Sequence, residues 1–352
     1  MASRIAQKDR VQTLIETEQQ LDEILSLPSE ADIEAFRTLD GDLILLGVGG
    51  KMGPTLALRA RCAADAAGVT KRIIGVSRFS SIAAREQLEA AGIETVSADL
   101  LNRDEMAALP DAENVIFLAG RKFGSTGGEA LTWAMNAYLP ALVAERYESS
   151  QIVAFSSGNI YPFVPVTSGG ATESTAVAPV GEYAQSVLAR ERVFTYFSER
   201  NGTPVALLRL NYAVELRYGV LLDIGTAVFE RKPISLGTGM VNVIWQGDAN
   251  SVCLRSFDLC QAPPAILNLT GPETLSVRWI ANCFGEIFGV EPIFEGTESN
   301  TALLNNAAQC HRLFGYPSVS VERLIEWTAQ WIGIGGPTLA KPTHFDTRDG
   351  KF

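Results

Sequence analysis

The chain has 352 residues, of which 47% are hydrophobic and 20% charged, a composition suited to a globular body with one large α/β domain and a smaller appended one. Its 29 basic residues against 40 acidic ones give a formal net charge of −11, and no Lys/Arg-rich run occurs, so the electrostatic footprint of a nucleic-acid partner is missing. The first residues carry charge with no apolar run behind them, and no apolar span of about 18 residues follows, which predicts a cytoplasmic protein without a membrane partner.

In chain order, Val11, Leu14, Ile15, Leu21, Ile24 and Leu25 recur at helical spacing up to Pro28. Ser29 with Asp32 forms a capping box for a second short helix. Residues 1–40 therefore read as a helical arm that packs on the body or on a partner subunit. From Asp42 the pattern becomes apolar runs alternating with helices, the mark of a parallel sheet covered on both faces. Strands are predicted at Leu43–Leu46, Arg72–Val76, Glu94–Ser97, Asn114–Leu118, Gln151–Phe155 and Pro204–Leu208, giving a doubly wound Rossmann domain over 41–210. The text then turns irregular, with helices at Val277–Phe288 and Val321–Trp331, and 211–332 reads mainly as a substrate-binding lobe over the strand ends. Residues 333–352 read as a loop or extended arm, and the mixed segment Lys341–Asp346 is expected to fold over a pocket or a neighbouring subunit.

The chemistry starts at the first strand. Gly47-x-x-Gly50-x-x-Gly53 follows it directly and opens a helix with Pro54 near its first turn and Gly68 at its end. Glycines let a pyrophosphate approach the backbone and let the helix pack close to its strand. Gly47, Gly49, Gly50, Lys51, Met52 and Gly53 are therefore candidate dinucleotide contacts. The second strand ends Ser77-Arg78, where an NAD enzyme would usually carry an acidic residue for the ribose. A hydroxyl followed by a guanidinium suits a 2′-phosphate, so the expected cofactor is NADP, with NAD as the alternative. Five cysteines without CxxC pairs, and two histidines, His311 and His344, outside ligand spacing, predict no metal and direct acid–base chemistry to Tyr, Ser or carboxylates.

Later segments resemble the extended short-chain dehydrogenase/reductase family over about Asp42 to Trp331. Ala98-Asp99-Leu100 is similar to the family's strand-three Asp segment at adenine. Ala119-Gly120-Arg121-Lys122 resembles the segment passing the cofactor, which implies a Lys on the pyrophosphate at Lys122, and Asn136 falls where the family has a helix Asn. Phe155-Ser156-Ser157-Gly158-Asn159-Ile160-Tyr161, followed by Tyr183-Ala184-Gln185-Ser186, carries the resemblance furthest and implies Ser157 and Tyr183 as the catalytic pair. The family is often dimeric through the helices after strands four and five, which implies a homodimer.

Departures from the family are as informative. The Lys of Tyr-x-x-x-Lys is replaced by Val187, so Arg190, Arg121 or Lys122 is needed as a surrogate cation. Gly158-Asn159 stands where dehydratases carry Asp-Glu, which argues against dehydration and leaves Asn159 as a candidate substrate contact. Val241 stands where epimerases hold a nucleotide diphosphate with Arg. The expected activity is an NAD(P)-dependent oxidoreductase or epimerase acting on a sugar or polyol carbon, with a carbohydrate substrate other than a nucleotide sugar. The alternative is a non-catalytic cofactor sensor.

Overall fold

In the computed structural model, which describes residues 14–351, one seven-stranded sheet organises the chain. Its strands are β1 (Leu43–Leu46), β2 (Ile73–Ser77), β3 (Glu94–Ser97), β4 (Asn114–Phe117), β5 (Gln151–Ser157), β6 (Val205–Leu210) and β7 (Ala265–Leu269). They lie in the order β7-β6-β5-β4-β1-β2-β3 with every pairing parallel. All four residues of β1 and of β4 are buried, as parallel strands covered on both faces must be. This is the doubly wound Rossmann arrangement, and its crevice lies between β1 and β4, where the strand order reverses.

Each face of the sheet has its own core. Leu43, Leu45, Val153 and Leu208 pack under the Gly53–Ala67 and Gln246–Arg255 helices. Ile44, Leu46, Phe117 and Ile152 pack on the other face with Leu139, Val143 and Phe194 from the Leu139–Arg146 and Gly181–Asn201 helices. A third core joins the Val220–Phe229, Val277–Phe288 and Val321–Gly333 helices through Ile224, Phe284, Trp327 and Trp331.

Six strands lie within two residues of their predicted limits, and the Val277–Phe288 helix has its predicted bounds. The seventh strand has no counterpart in the sequence pattern. Ala265–Leu269 follows Pro263 and Pro264, and its five residues carry no helical or long apolar signature. Residues after 210 thus divide between the cores, with the Gln246–Arg255 helix and β7 joining the sheet and the three helices forming the lobe.

At the amino-terminal side, helices Glu18–Ser26 and Glu30–Thr38 begin in complete capping boxes at Thr17 and Ser29. Val11 lies outside the described residues. Leu21 and Leu25 enter the lobe core, while Asp32 is fully buried against Arg59 at 2.6 Å and accepts from the Ser251 hydroxyl at 2.5 Å. These helices are clamped between sheet domain and lobe, where a buried carboxylate needs both partners to offset its lost hydration.

Candidate active site

Close packing explains the glycines after β1. Gly47 has φ +94°, and a Cβ there would lie 2.7 Å from the Ala119 nitrogen. A Cβ on Gly49 would collide with the Ser77 hydroxyl, and one on Gly53 with the Val48 carbonyl. Gly53 opens a 15-residue helix whose N-cap Met52 makes no side-chain cap, with Pro at the first turn. A helix start without a side-chain cap behind a glycine-rich loop fits a pyrophosphate.

A cleft of about 280 Å³ opens beside this loop. The loop supplies Gly47, Gly50, Lys51, Met52 and Gly53 to its wall; the segment after β4 supplies Gly120, Arg121 and Lys122. Opposite them stand Ser157 and Asn159 from the end of β5, and Tyr183 and Arg190 from the Gly181–Asn201 helix. Four basic side chains and no carboxylate line this cleft in a chain of net charge −11.

Tyr183 and Arg190 are seven residues apart, two helical turns, so they share a face, and helical side chains lean toward the N-terminus. Arg190 is 5% exposed. Its guanidinium donates to the Phe155 carbonyl at 2.7 Å and to Asn136 Oδ1 at 2.8 Å, while its Nε is buried without a partner. Burial lowers its pKa to about 10, opposed by the charges of Tyr183 and Glu191. Val187 is fully buried between them on the helix.

Lys122 approaches from the other side. Its ammonium lies 6.0 Å from the centroid of the Tyr183 ring and donates to the Thr343 carbonyl at 3.1 Å. Burial lowers its pKa to about 8, with Asp223 opposing. Lys51 donates to the Ala213 carbonyl at 2.9 Å and stands 4.1 Å over the Tyr218 ring. Burial brings Lys51 down to about 7; Glu215 opposes the shift, and Arg217 and Lys122 add to it. Tyr218 is raised by burial and by neighbouring negative charge.

Ser157 has a local task as well. Its hydroxyl accepts from the Asn159 N–H at 3.2 Å and so caps the short 3₁₀ turn Gly158–Ile160. Next to it, Ser156 donates to Glu191 at 2.5 Å, and Glu191 forms a two-pronged pair with Arg209 at 2.9 and 2.7 Å. Arg209 also donates to the Tyr161 hydroxyl at 2.7 Å. This buried network fixes β5 and the Tyr183 helix to β6 behind the cleft.

The remaining candidates lie around the cleft. Asn136, in a π-helical turn at Ala134–Tyr138, is fully buried. Its amide takes the Arg121 N–H and an Arg190 N–H and donates to the Arg121 carbonyl and Ser186. It reaches the cleft only through Arg121 and Arg190. Ser77 and the exposed Arg78 lie at the end of β2, and Asp99 accepts the Leu101 N–H just after β3. The Leu100 and Ala119 side chains pack in the core, leaving backbone for any ligand. Arg121 turns to the Gly124 carbonyl at 3.0 Å.

Sequence reasoning missed Tyr212, Tyr218 and Thr343 in the cleft wall. Tyr218-Gly219 immediately before an apolar helix was a readable signal for the second; Tyr212 depends on its backbone, at φ +44°, and Thr343 on long-range folding. Asp248 accepts from the Ser318 N–H and hydroxyl at 3.0 and 2.7 Å.

Residues 43–214 match the model of the NAD dependent epimerase/dehydratase family. This chain carries a domain of that family. Among solved structures, UDP-glucose 4-epimerase from Thermotoga maritima, in a crystal with UDP-glucose, is 16% identical, with a TM-score of 0.69 over 83% of this chain and 98% of its own. UDP-glucuronic acid 4-epimerase from Bacillus cereus, in complex with NAD, is 17% identical, with a TM-score of 0.68 over 83% of this chain and 98% of its own. UDP-glucose 4-epimerase from Thermus thermophilus, also with NAD, is 17% identical, with a TM-score of 0.66 over 82% and 98%. At these identities the likeness is one of fold. No curated protein matches by sequence. Among the described residues, no helix is long and apolar enough to cross a membrane.

Proposed function

We propose that this chain is an NAD(P)-dependent oxidoreductase or epimerase that works on a hydroxyl or keto carbon of a sugar or polyol. One observation carries the reading: Tyr183, Ser157 and the glycine loop open into a single cleft with Arg190 and Lys122 beside the Tyr. Bound nicotinamide supplies a hydride acceptor. Tyr183, as phenolate, accepts the substrate's hydroxyl proton, and Ser157 directs the same oxygen. Arg190 and Lys122 provide the positive field that the family's missing Lys would give. A neutral pocket floor at Gly158-Asn159 offers no second acid–base pair for elimination.

The substrate is a carbohydrate not tied to a nucleotide, because Val241 lies fully buried in the lobe core and gives a diphosphate no cation. Incubating the protein with NAD or NADP and a panel of free and glycosylated sugars, with reduced nicotinamide as the signal, tests the activity. Saturable micromolar UDP binding that competes with turnover would remove the substrate assignment. Cofactor binding with no hydride exchange across the panel would favour the second reading, a sensor, which rests on Val187.

Assembly as a cytoplasmic homodimer belongs to the same proposal. Leu131, Trp133, Tyr138 and Tyr196 are exposed apolar side chains on the 129–146 and 181–201 helical segments. Sedimentation at varied concentration tests it, and Tyr196→Glu is expected to favour the monomer.

A further inference from the structure

Residues 337–350 have no regular secondary structure, yet they are tied to the body along their length. At one end the Trp331 indole donates to the Pro337 carbonyl at 3.0 Å, and the Leu339 N–H donates to the Arg217 carbonyl at 2.9 Å. At the far end, Arg348 donates to the Thr301 carbonyl at 2.9 Å and its hydroxyl at 2.7 Å, and lies 4.1 Å over the Phe163 ring. Gly350 then meets the start of the Tyr183 helix backbone to backbone, so closely that a Cβ on Gly181 would collide with the Gly350 carbonyl.

Between these anchors the segment enters the cleft. Thr343 is 2% exposed and forms part of the wall. Its N–H and hydroxyl both go to Asp223 Oδ2, at 2.8 and 2.5 Å, and its carbonyl accepts from Lys122. His344 adds a ring contact with Phe123, the residue after Lys122, at 6.4 Å between centroids.

We propose that this segment is a strap that completes the active site: latched by Asp223 and Arg348, it makes Thr343 a positioning residue that holds the Lys122 ammonium over Tyr183 and seals the substrate end from water. A lysine ammonium on four methylenes has many rotamers, and a carbonyl held on two hydrogen bonds selects one of them. Removing water from that end strengthens every charge interaction inside the cleft. Substrate enters when the strap lifts, and the turn at Gly335, with φ +69°, gives it a point to pivot. The proposal rests on the catalytic reading of Tyr183 given above.

The test uses the full-length protein without added cofactor, with Arg348→Ala and Gly350→Val, neither of which lines the cleft. Lys122 faces Asp223, Lys51 and Tyr183 from the surrounding elements, Asp223 in turn feels His344 and Asp346, and neither variant changes those charges. Acylation of Lys122, followed by mass spectrometry across pH, is expected to reach half-maximum near pH 8 in the parent protein. Strap release rehydrates the amine, so the midpoint in both variants moves up by about one unit or more. Hydrogen exchange over 339–350 is slow in the parent and at least about tenfold faster in the variants. With a sugar substrate in hand, kcat and kcat/KM fall together by about tenfold while NAD affinity holds. Asp223→Asn, which keeps an acceptor oxygen for Thr343, recovers the exchange protection lost in Asp223→Ala. An unchanged Lys122 midpoint in both variants, or open-chain exchange over 339–350 in the parent, overturns the strap. Shifts in midpoint and exchange with no sugar reducing the cofactor would uphold the strap and remove the catalytic reading instead.

Discussion

The Lys122 ammonium stands 6.0 Å from the centroid of the Tyr183 ring, one side chain arriving from the segment after β4 and the other from the first turn of the Gly181–Asn201 helix. Arg190, two turns further along that helix, carries the second positive charge coupled to Tyr183. Positive charge thus reaches Tyr183 from two directions, neither of them at Val187.

Tyr183→Phe is expected to lower turnover by about 10²–10⁴-fold, the usual contribution of a placed acid–base group, with cofactor affinity nearly unchanged. Ser157→Ala should cost less activity and also destabilise the fold by about 1 kcal/mol, because Ser157 caps the Gly158–Ile160 turn. Full activity in Tyr183→Phe removes the assignment.

Arg190→Gln separates the two cations. It leaves the Phe155 carbonyl or Asn136 short of a charged donor, at a cost of about 1–3 kcal/mol, and withdraws positive charge from the proton acceptor. The limb of the pH–rate profile that reports that acceptor is expected to move to higher pH. A thermal shift without any movement of the limb would restrict Arg190 to a structural role.

The expectation of NADP rests on Ser77-Arg78 at the end of β2. Arg78→Ala should weaken NADP by about 1.5–3 kcal/mol, the range for charge-assisted hydrogen bonds, and leave NAD unchanged. Calorimetry with both cofactors on the unmodified protein is the control, and equal dissociation constants there would eliminate a role for Arg78.

Lys51 makes stability depend on pH. Its folded pKa, about 7, lies below the ordinary 10.5, so between those values the unfolded chain binds more protons than the folded one. Stability of the cofactor-free protein therefore rises with pH across that window, and the contribution is lost as pH falls through 7. Lys122, near 8, adds to the upper part of it. Lys51→Met should flatten the rise in denaturation midpoint between pH 7 and 10; an identical slope would place the ammonium in water.

Behind the cleft, Glu191→Ala strands Arg209 in a site where both side chains are 5% exposed. Breaking a buried pair in this way costs about 3–5 kcal/mol, so a large fall in denaturation midpoint is expected, with Ser156 losing its acceptor as well. A loss below about 1 kcal/mol, measured by denaturant titration, would mean that water replaces the carboxylate.

What the sequence determined on its own was local. Apolar runs such as Leu43–Leu46 specify buried strands, glycines at 47 and 53 specify a loop too tight for side chains there, and Ser29 with Asp32 specifies a helix start. These signals depend on neighbours a few residues apart, so they survive in one dimension. Tertiary structure decided what those signals could not carry. Asn136, placed from the sequence as a helix Asn, spends its amide on Arg121, Ser186 and Arg190, partners 15, 50 and 54 residues away. Thr343 meets Lys122 across 221 positions and Asp223 across 120, and no periodicity records such pairings. The five residues of β7 became a strand because β6 offered a parallel edge to pair with, an environment made by the fold. Burial, which sets the charge on Lys51 and Lys122, is likewise a property of the packed cleft, because desolvation depends on everything around an ammonium and not on its place in the chain.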